Sequence, residues 1–272
     1  MNIVVFAKMF QKLPLPEFAS IMADIGFEGV DLTVRPGGYI APEEVEEKLP
    51  EAIDIVKSKG LSIPIITTSI VDANEPYAEE TFKTASECGV KYLKLGYWLY
   101  EGFGKLKAQI ENIRKSLREI EKLSRKYCIN AAIHTHSGMF LTAEPAVVLE
   151  ILRDFNPDFV GAYIDPGHMV VEGGLAGWLM GMDMLNNRIR MVAVKDFAWI
   201  KRGNSWKAEV VPLGEGLVPW RKVFEILKRI DFKGPVSIHC EYEEISLREI
   251  IEQARKDLNY VRNILYLSLQ FS

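Results

Sequence analysis

Residues 105–136 read KLKAQIENIRKSLREIEKLSRKYCINAAIHTH, and this stretch decides the fold. Leu106, Ile110, Ile113, Leu117 and Ile120 fall three or four residues apart, with Lys, Arg and Glu between them. That is the period of a helix with one buried face. Past Cys128 the period is lost, and a short apolar run, NAAIHTH (130–136), reads as a strand that ends in two histidines. The same unit recurs along the chain: an amphipathic helix, a Gly, Asn or Cys, a short β-branched run, then a polar loop. Strands are predicted at 2–7, 29–34, 62–70, 92–98, 130–136, 160–165, 191–197 and 235–242. Helices such as 42–60, 105–128 and 219–232 lie between them. In ADIGFEG, VKSKGLS and SECGVK a glycine stands where a helix hands over to a strand.

Strands alternating with helices over a whole chain imply right-handed βαβ units and a parallel sheet. Eight units in a chain of 272 residues match the count and size of a closed (β/α)8 TIM barrel of class α/β, here a single domain over 1–272. An open doubly wound sheet is the alternative. It lacks the GxGxxG turn after the first strand, so no nucleotide cofactor is expected.

Composition excludes several partners. At 48% hydrophobic, 26% charged and net charge −4, the chain has no basic stripe for a phosphate backbone, so nucleic acid is not an expected partner. No apolar run reaches eighteen residues, and MNIVVFAKMFQ lacks the basic start of a signal peptide. A cytoplasmic protein without a membrane partner is expected. Cys88, Cys128 and Cys240 are odd in number and widely spaced. They suit a reducing compartment and read as small buried hydrophobes rather than a disulfide or zinc framework. The long excursion at 201–218, KRGNSWKAEVVPLGEGLV, reads as an ordered hairpin, either a lid or a surface insertion.

Catalytic groups in such a barrel come from the C-terminal ends of its strands. All four histidines fall there: His134 and His136 end the fifth strand, His168 follows the sixth, and His239 is near the end of the eighth. Side-chain alternation sharpens the pattern. His134 and His136 share a face opposite Ile133, and His239 and Glu241 share one opposite Ile238 and Cys240. Lys195 shares the face of Ala193 opposite Val192 and Val194, and Asp165 opposes Ile164. One cavity is thus offered His, His, Asp, Lys, His and Glu, with Asp31 and Glu172 as additions. Ionisable groups gathered in a core are costly without a ligand or pairing, so a functional site is the first reading. A structural ion-pair network of Lys195 with Asp165 or Glu241 is the other.

GFEGVDL (26–32), the D-x-x-H of Asp165 and His168, the KD of Lys195 and Asp196, PLGEG (212–216) and the acidic last strand resemble the xylose isomerase-like TIM-barrel superfamily. That group includes sugar-phosphate isomerases and epimerases, tagatose 3-epimerase-like enzymes, hydroxypyruvate isomerase, inosose dehydratase and family 2 apurinic endonucleases. In its epimerases one divalent metal is held by Glu, Asp, His and Glu from the last four strands. Carried over by position, Asp165 matches the Asp and His168 the neighbouring substrate contact. His134 stands where the first Glu is usual, with His136 in the place of the family's histidine. Ala193 stands where the His is usual, and His239 or Glu241 takes the last Glu position.

The resemblance implies a sugar, sugar-phosphate or keto-polyol isomerase or epimerase that moves a proton next to a carbonyl through an enediolate. Catalytic expectations are Glu241, Asp165, His168 and Lys195; substrate-binding ones are His136, Glu172, Trp98 and Arg35. A Mn, Zn, Co or Mg ion would be held by His134, Asp165, His239 and Glu241. A metal-free site is the alternative, with Lys195 as fixed positive charge and Glu241 or a histidine moving the proton. Tyr100 beside Trp98 is a second stacking candidate, and Glu215 of PLGEG a loop-stabilising acceptor. Rival functions are an inosose dehydratase-like lyase and a sugar-binding barrel that has lost catalysis. An apurinic endonuclease is disfavoured by the four histidines and the acidic balance. A small sugar-like substrate and a homodimer or homotetramer complete the expectations.

Overall fold

A computed structural model describes residues 1–270, with side chains through residue 266. Eight parallel strands close into a barrel in the order β1-β10-β7-β6-β5-β4-β3-β2. They are β1 (Asn2–Phe6), β2 (Gly29–Thr33), β3 (Ser62–Thr67), β4 (Tyr92–Lys94), β5 (Asn130–His134), β6 (Val160–Ile164), β7 (Ile189–Val194) and β10 (Pro235–Ile238). Outside them lie α1 (Leu15–Ile25), α2 (Val45–Ser58), α3 (Ala78–Glu87), α4 (Leu106–Tyr127), α5 (Pro145–Leu152), α6 (Pro166–Leu185), α7 (Trp220–Arg229) and α8 (Leu247–Gln270). None of the described helices is long and apolar enough to cross a membrane.

The periodic stretch 106–120 forms the expected helix, except that Leu106 in its first turn is exposed. In α4, Ile110, Ile113, Leu117 and Ile120 are buried against the barrel. The helix stops at Cys128 in the left-handed region (φ 53), whose N–H donates to the Ser124 carbonyl, and β5 follows at once. Cys128 is exposed and Cys88 half-buried, so only Cys240 of the three thiols is the buried hydrophobe expected. Buried Arg114 donates to the carbonyls of Glu150 and Ile151 and pairs with Asp154, tying α4 to α5.

Alternation sorts the strand side chains into two cores. Val4, Ile65, Ala132, Tyr163, Met191 and Ala193 pack together in the barrel interior. Val5, Val30, Leu93, Ile133, Ile164, Val192, Val194 and Ile238 face the helices in a separate cluster. The interior set carries the parity of His134, Asp165, Lys195 and His239. Those four residues therefore continue the interior rows beyond the last hydrophobic layer, at the mouth.

The excursion after β7 is a hairpin, as expected, but it begins earlier. β8 (Asp196–Arg202) pairs antiparallel with β9 (Ser205–Val211) from Asp196↔Val211 to Arg202↔Ser205. The cause is Asp196, which ends the barrel strand at Val194. Its buried carboxylate accepts from the backbone N–H of Phe197, Gly214 and Val218 and from Trp220 Nε1, at 3.0, 3.0, 3.0 and 3.2 Å. Gly216 lies so close to that carboxylate that a Cβ would collide with it. PLGEG is thus a wrapping for Asp196, and the loop's acceptor is Asp196 rather than the exposed Glu215.

Candidate active site

The four histidines meet at the mouth. The His136 and His168 rings lie 3.8 Å apart, and His134 lies 5.9–6.1 Å from His136, His168 and His239. Asp165 caps α6, and its Oδ1 accepts the His168 backbone N–H at 3.0 Å. Its Oδ2 faces His134 Nε2 at 3.6 Å, His168 Nε2 at 3.8 Å and Lys195 Nζ at 3.5 Å. Lys195 bonds Glu241 Oε2 at 2.6 Å, and Lys8 bonds the other oxygen of Glu241, also at 2.6 Å. Below them the Tyr163 hydroxyl bridges His239 Nε2 (2.9 Å) and Asp31 Oδ2 (3.2 Å). Asp31 also accepts from Thr67 and Ser237.

Two compartments open from this cluster. An inner chamber of about 70 Å³ is walled by Phe6, Lys8, Arg35, Thr67, Lys94, Tyr97, His134, His136, Tyr163, Lys195, His239 and Glu241. An outer one of about 730 Å³ lies between His136, His168, Lys195, Glu241 and the hairpin residues Arg202 and Lys207–Val210. The hairpin therefore forms a wall of the mouth.

Burial pushes down the charged forms of the imidazoles: His134 to about 3, His136 downward, and His168 well below its ordinary value. Burial also opposes the Asp165 carboxylate, but His168, Lys195 and His134 outweigh it and hold the carboxyl well below the usual range. Lys195 supplies the full positive charge there, since both rings are neutral. Glu241 follows the same pattern: burial raises its carboxyl, while Lys195 and His239 bring it well down. Burial disfavours the Lys195 ammonium, but Glu241 and Asp165 more than compensate and raise it.

Acid stability follows from these shifts. His134 is neutral in the fold, whereas the unfolded chain takes up its proton below pH 6.5. Its contribution is complete above pH 6.5 and is lost as pH falls towards about 3. By pH 5 this one ring costs about 2 kcal/mol at 1.36 kcal/mol per pH unit. The His134 contribution to the urea stability of the wild-type protein should fall by about that much between pH 7.5 and 5.0. His134→Gln should flatten the slope, and an unchanged slope in that variant would refute the burial account.

Of the expected substrate contacts, Arg35 and His136 line the inner chamber. Trp98 does not: it borders a separate cavity with Leu99, Gln109 and Asn112 on the α4 side, and Tyr97 takes the chamber wall instead. Tyr100 packs partly buried against the helix-layer core. Glu172 accepts the Gly138 backbone N–H at 2.6 Å and so braces the loop after β5. Phe6, Lys8, Thr67, Lys94, Tyr97 and Tyr163 are chamber residues that the sequence reading passed over. Lys94 had a usable signal, because alternation in YLKLG sets it opposite Leu93 and Leu95.

The metal set expected from the resemblance is not gathered at one point. His134 approaches Asp165 and His239 approaches Glu241, each at 3.6 Å, with the Lys195 ammonium between the two carboxylates. Tyr97 O–H and Ser137 O–H lie 2.8 and 2.7 Å from the Nδ1 atoms of His134 and His168. When these hydroxyls donate, both Nε2 atoms carry protons and present N–H rather than a lone pair. Ala193 contributes a buried methyl on the strand where the family has a ligand. Among the described residues no group of three or more His, Cys, Asp or Glu is arranged to hold a metal ion. These residues do not fit a divalent centre. His134 Nε2, Asp165 Oδ2, His168 Nε2 and His239 Nδ1 are buried without hydrogen-bond partners among the described residues, and the three imidazoles line the two compartments.

The profile of the xylose isomerase-like TIM barrel matches residues 19–264. An inosose dehydratase of Histophilus somni is 24% identical over 258 residues, covering 81% of this chain and 84% of that protein. Its namesake in Glaesserella parasuis is 22% identical over 168 residues, and that match spans 57% of this chain and only 55% of the relative. Among solved structures, a xylose isomerase-like barrel from Mycobacterium smegmatis in complex with magnesium superposes with a TM-score of 0.74 at 15% identity, covering 98% and 97% of the two chains. The 3-keto-D-glucoside 4-epimerase of E. coli gives 0.72 at 15% identity, covering 97% and 99%. At such identities the likeness speaks for the fold.

Proposed function

This chain belongs to the xylose isomerase-like TIM-barrel family, and from that premise we propose that it is an isomerase or epimerase of a small sugar or keto-polyol. The observation that carries this proposal is the Lys195–Glu241 pair at the shared wall of the two compartments, 2.6 Å long and beside Asp165. A carbonyl oxygen arriving there takes over the Lys195 N–H. Glu241, relieved of the Lys195 contact and left with the exposed Lys8, becomes a stronger base and removes the proton from the adjacent carbon. The C–H electron pair forms the C=C bond, and the carbonyl π pair moves onto oxygen. Lys195 holds the resulting enediolate oxygen by charge, the task a divalent ion performs in a metal-dependent relative. Reprotonation at the neighbouring carbon isomerises the substrate, and reprotonation from the opposite face epimerises it. The neutral imidazoles of His134 and His168 stand on the Asp165 side for proton exchange with the substrate hydroxyls.

The inosose dehydratase relatives favour one second reading, a lyase. Elimination of water also starts with a proton removed next to a carbonyl, and differs only in the hydroxyl that then leaves. Incubation in D2O with a panel of aldoses, ketoses and inososes, with and without Mn, tests both. Deuterium incorporated into recovered sugar supports the isomerase, and an unsaturated product supports the lyase. Neither exchange nor an unsaturated product with any of them sinks both.

A further inference from the structure

We propose that Arg35 and Lys94 form an oxyanion subsite in the inner chamber, so that the ligand of this barrel carries a carboxylate or a phosphate group. Calling that ligand a substrate rests on the isomerase reading; the anion subsite itself does not.

Lys94 is the most unusual side chain of the mouth. It is 2% exposed, ends β4, and lines the chamber. No carboxylate oxygen lies within 4 Å of its ammonium among the described residues. Its neighbour is the face of Tyr97, 3.4 Å from Nζ to the ring centroid. Asp31, below it, is already occupied by Thr67, Tyr163 and Ser237. A buried ammonium without a counter-ion is costly unless a ligand supplies the charge. Burial, then the nearby Arg35, push its amine well below the ordinary lysine value, and an anion bound beside it would reverse that shift and restore the ammonium.

The rest of the wall has the same sign. Lys8, Arg35, Lys94 and Lys195 face the chamber against one lining carboxylate, Glu241, which Lys8 and Lys195 already share. Arg35 is half-buried, its guanidinium 6.0 Å from the Phe6 ring and, among the described residues, without a carboxylate within 4 Å. Four basic side chains against one carboxylate give the wall an excess of cationic donors that favours an anionic group over a neutral hydroxyl. A planar fork beside a point charge suits a carboxylate or phosphate. The small inner chamber takes the anionic end. Lys195 and Glu241 line both compartments and would meet the carbons that follow it.

Calorimetric titration of the full chain with inorganic phosphate and, separately, acetate, at ionic strength fixed with chloride, tests the subsite. The wild-type protein should bind at least one of them. Arg35→Met and Lys94→Met should each weaken that binding 10-fold or more. Binding of acetate alone points to sugar acids, and of phosphate alone to sugar phosphates. Arg35 is half-buried, so its variant keeps the test open if Lys94→Met fails to fold. Binding of neither anion, or binding unchanged in Arg35→Met, overturns the proposal. Deuterium exchange separates it from the isomerase reading. Exchange into neutral ketoses but into none of their acids or phosphates overturns the subsite and leaves proton transfer standing. Anion binding lost in the variants, with no exchange into any sugar, does the reverse.

Discussion

Lys195→Met is expected to lose solvent exchange by about 10³-fold, the scale for removing one preorganised charge from a developing oxyanion. It should also destabilise the fold, because Asp165 and Glu241 then face each other across the mouth without the cation now 3.5 and 2.6 Å from them. Breaking a buried pair on one side costs about 3–5 kcal/mol. Glu241 is 15% exposed, which favours the low end of that range. The pH dependence carries the diagnosis. In the wild-type protein both carboxyls are held down, so their contribution is present above the ordinary carboxylate pKa and is lost only in strong acid. In the variant they rise, and protonation relieves their repulsion. The stability gap between the two proteins should therefore narrow from pH 8 to pH 5 in urea titrations. A gap that stays constant, or a variant that exchanges at the wild-type rate, would remove Lys195 from the centre of the site. Chelator dialysis should leave wild-type exchange unchanged, while added Mn should restore part of it in Lys195→Met, where both carboxylates are released.

The fold was legible in the sequence because both of its periods are strong. A 3.6-residue stripe in 106–127 and alternation in 130–136 are each set by one buried face. Alternation also placed the polar cluster of the candidate site at the mouth, since His134, Asp165, Lys195 and His239 continue interior rows that hold Ala132, Tyr163, Ala193 and Ser237. It failed where strands end. β4 stops at Lys94, and the chain then turns so that Gly96 N–H reaches the Ile70 carbonyl, which puts Tyr97 rather than Trp98 on the chamber wall. The wrapping role of Asp196 was invisible for another reason. Its partners lie up to 24 residues ahead, and no local pattern encodes them. Lys94 fell within reach of the alternation rule, but a lysine in an apolar run is ordinarily placed at the surface.

Glu241→Gln separates chemistry from architecture more cleanly than the lysine variant. The amide keeps an oxygen to accept from Lys195, which also retains Asp165 at 3.5 Å. The two carboxylates are not left to repel each other, and the fold should survive with a far smaller loss than in Lys195→Met. Proton abstraction should nonetheless fall about 10²–10⁴-fold, the range for losing a positioned general base. Glu241→Asp should recover part of the rate, because it restores a carboxylate, though one withdrawn from the substrate carbon by a methylene. Lys8, 45% exposed, loses its contact to the other Glu241 oxygen at little cost, since such surface pairs contribute little. The decisive outcome is therefore a folded Glu241→Gln protein with its exchange rate in D2O. Above a tenth of the wild-type rate, the base is Asp165 or an imidazole, and the Lys195–Glu241 pair reverts to a structural ion pair that merely closes the barrel mouth.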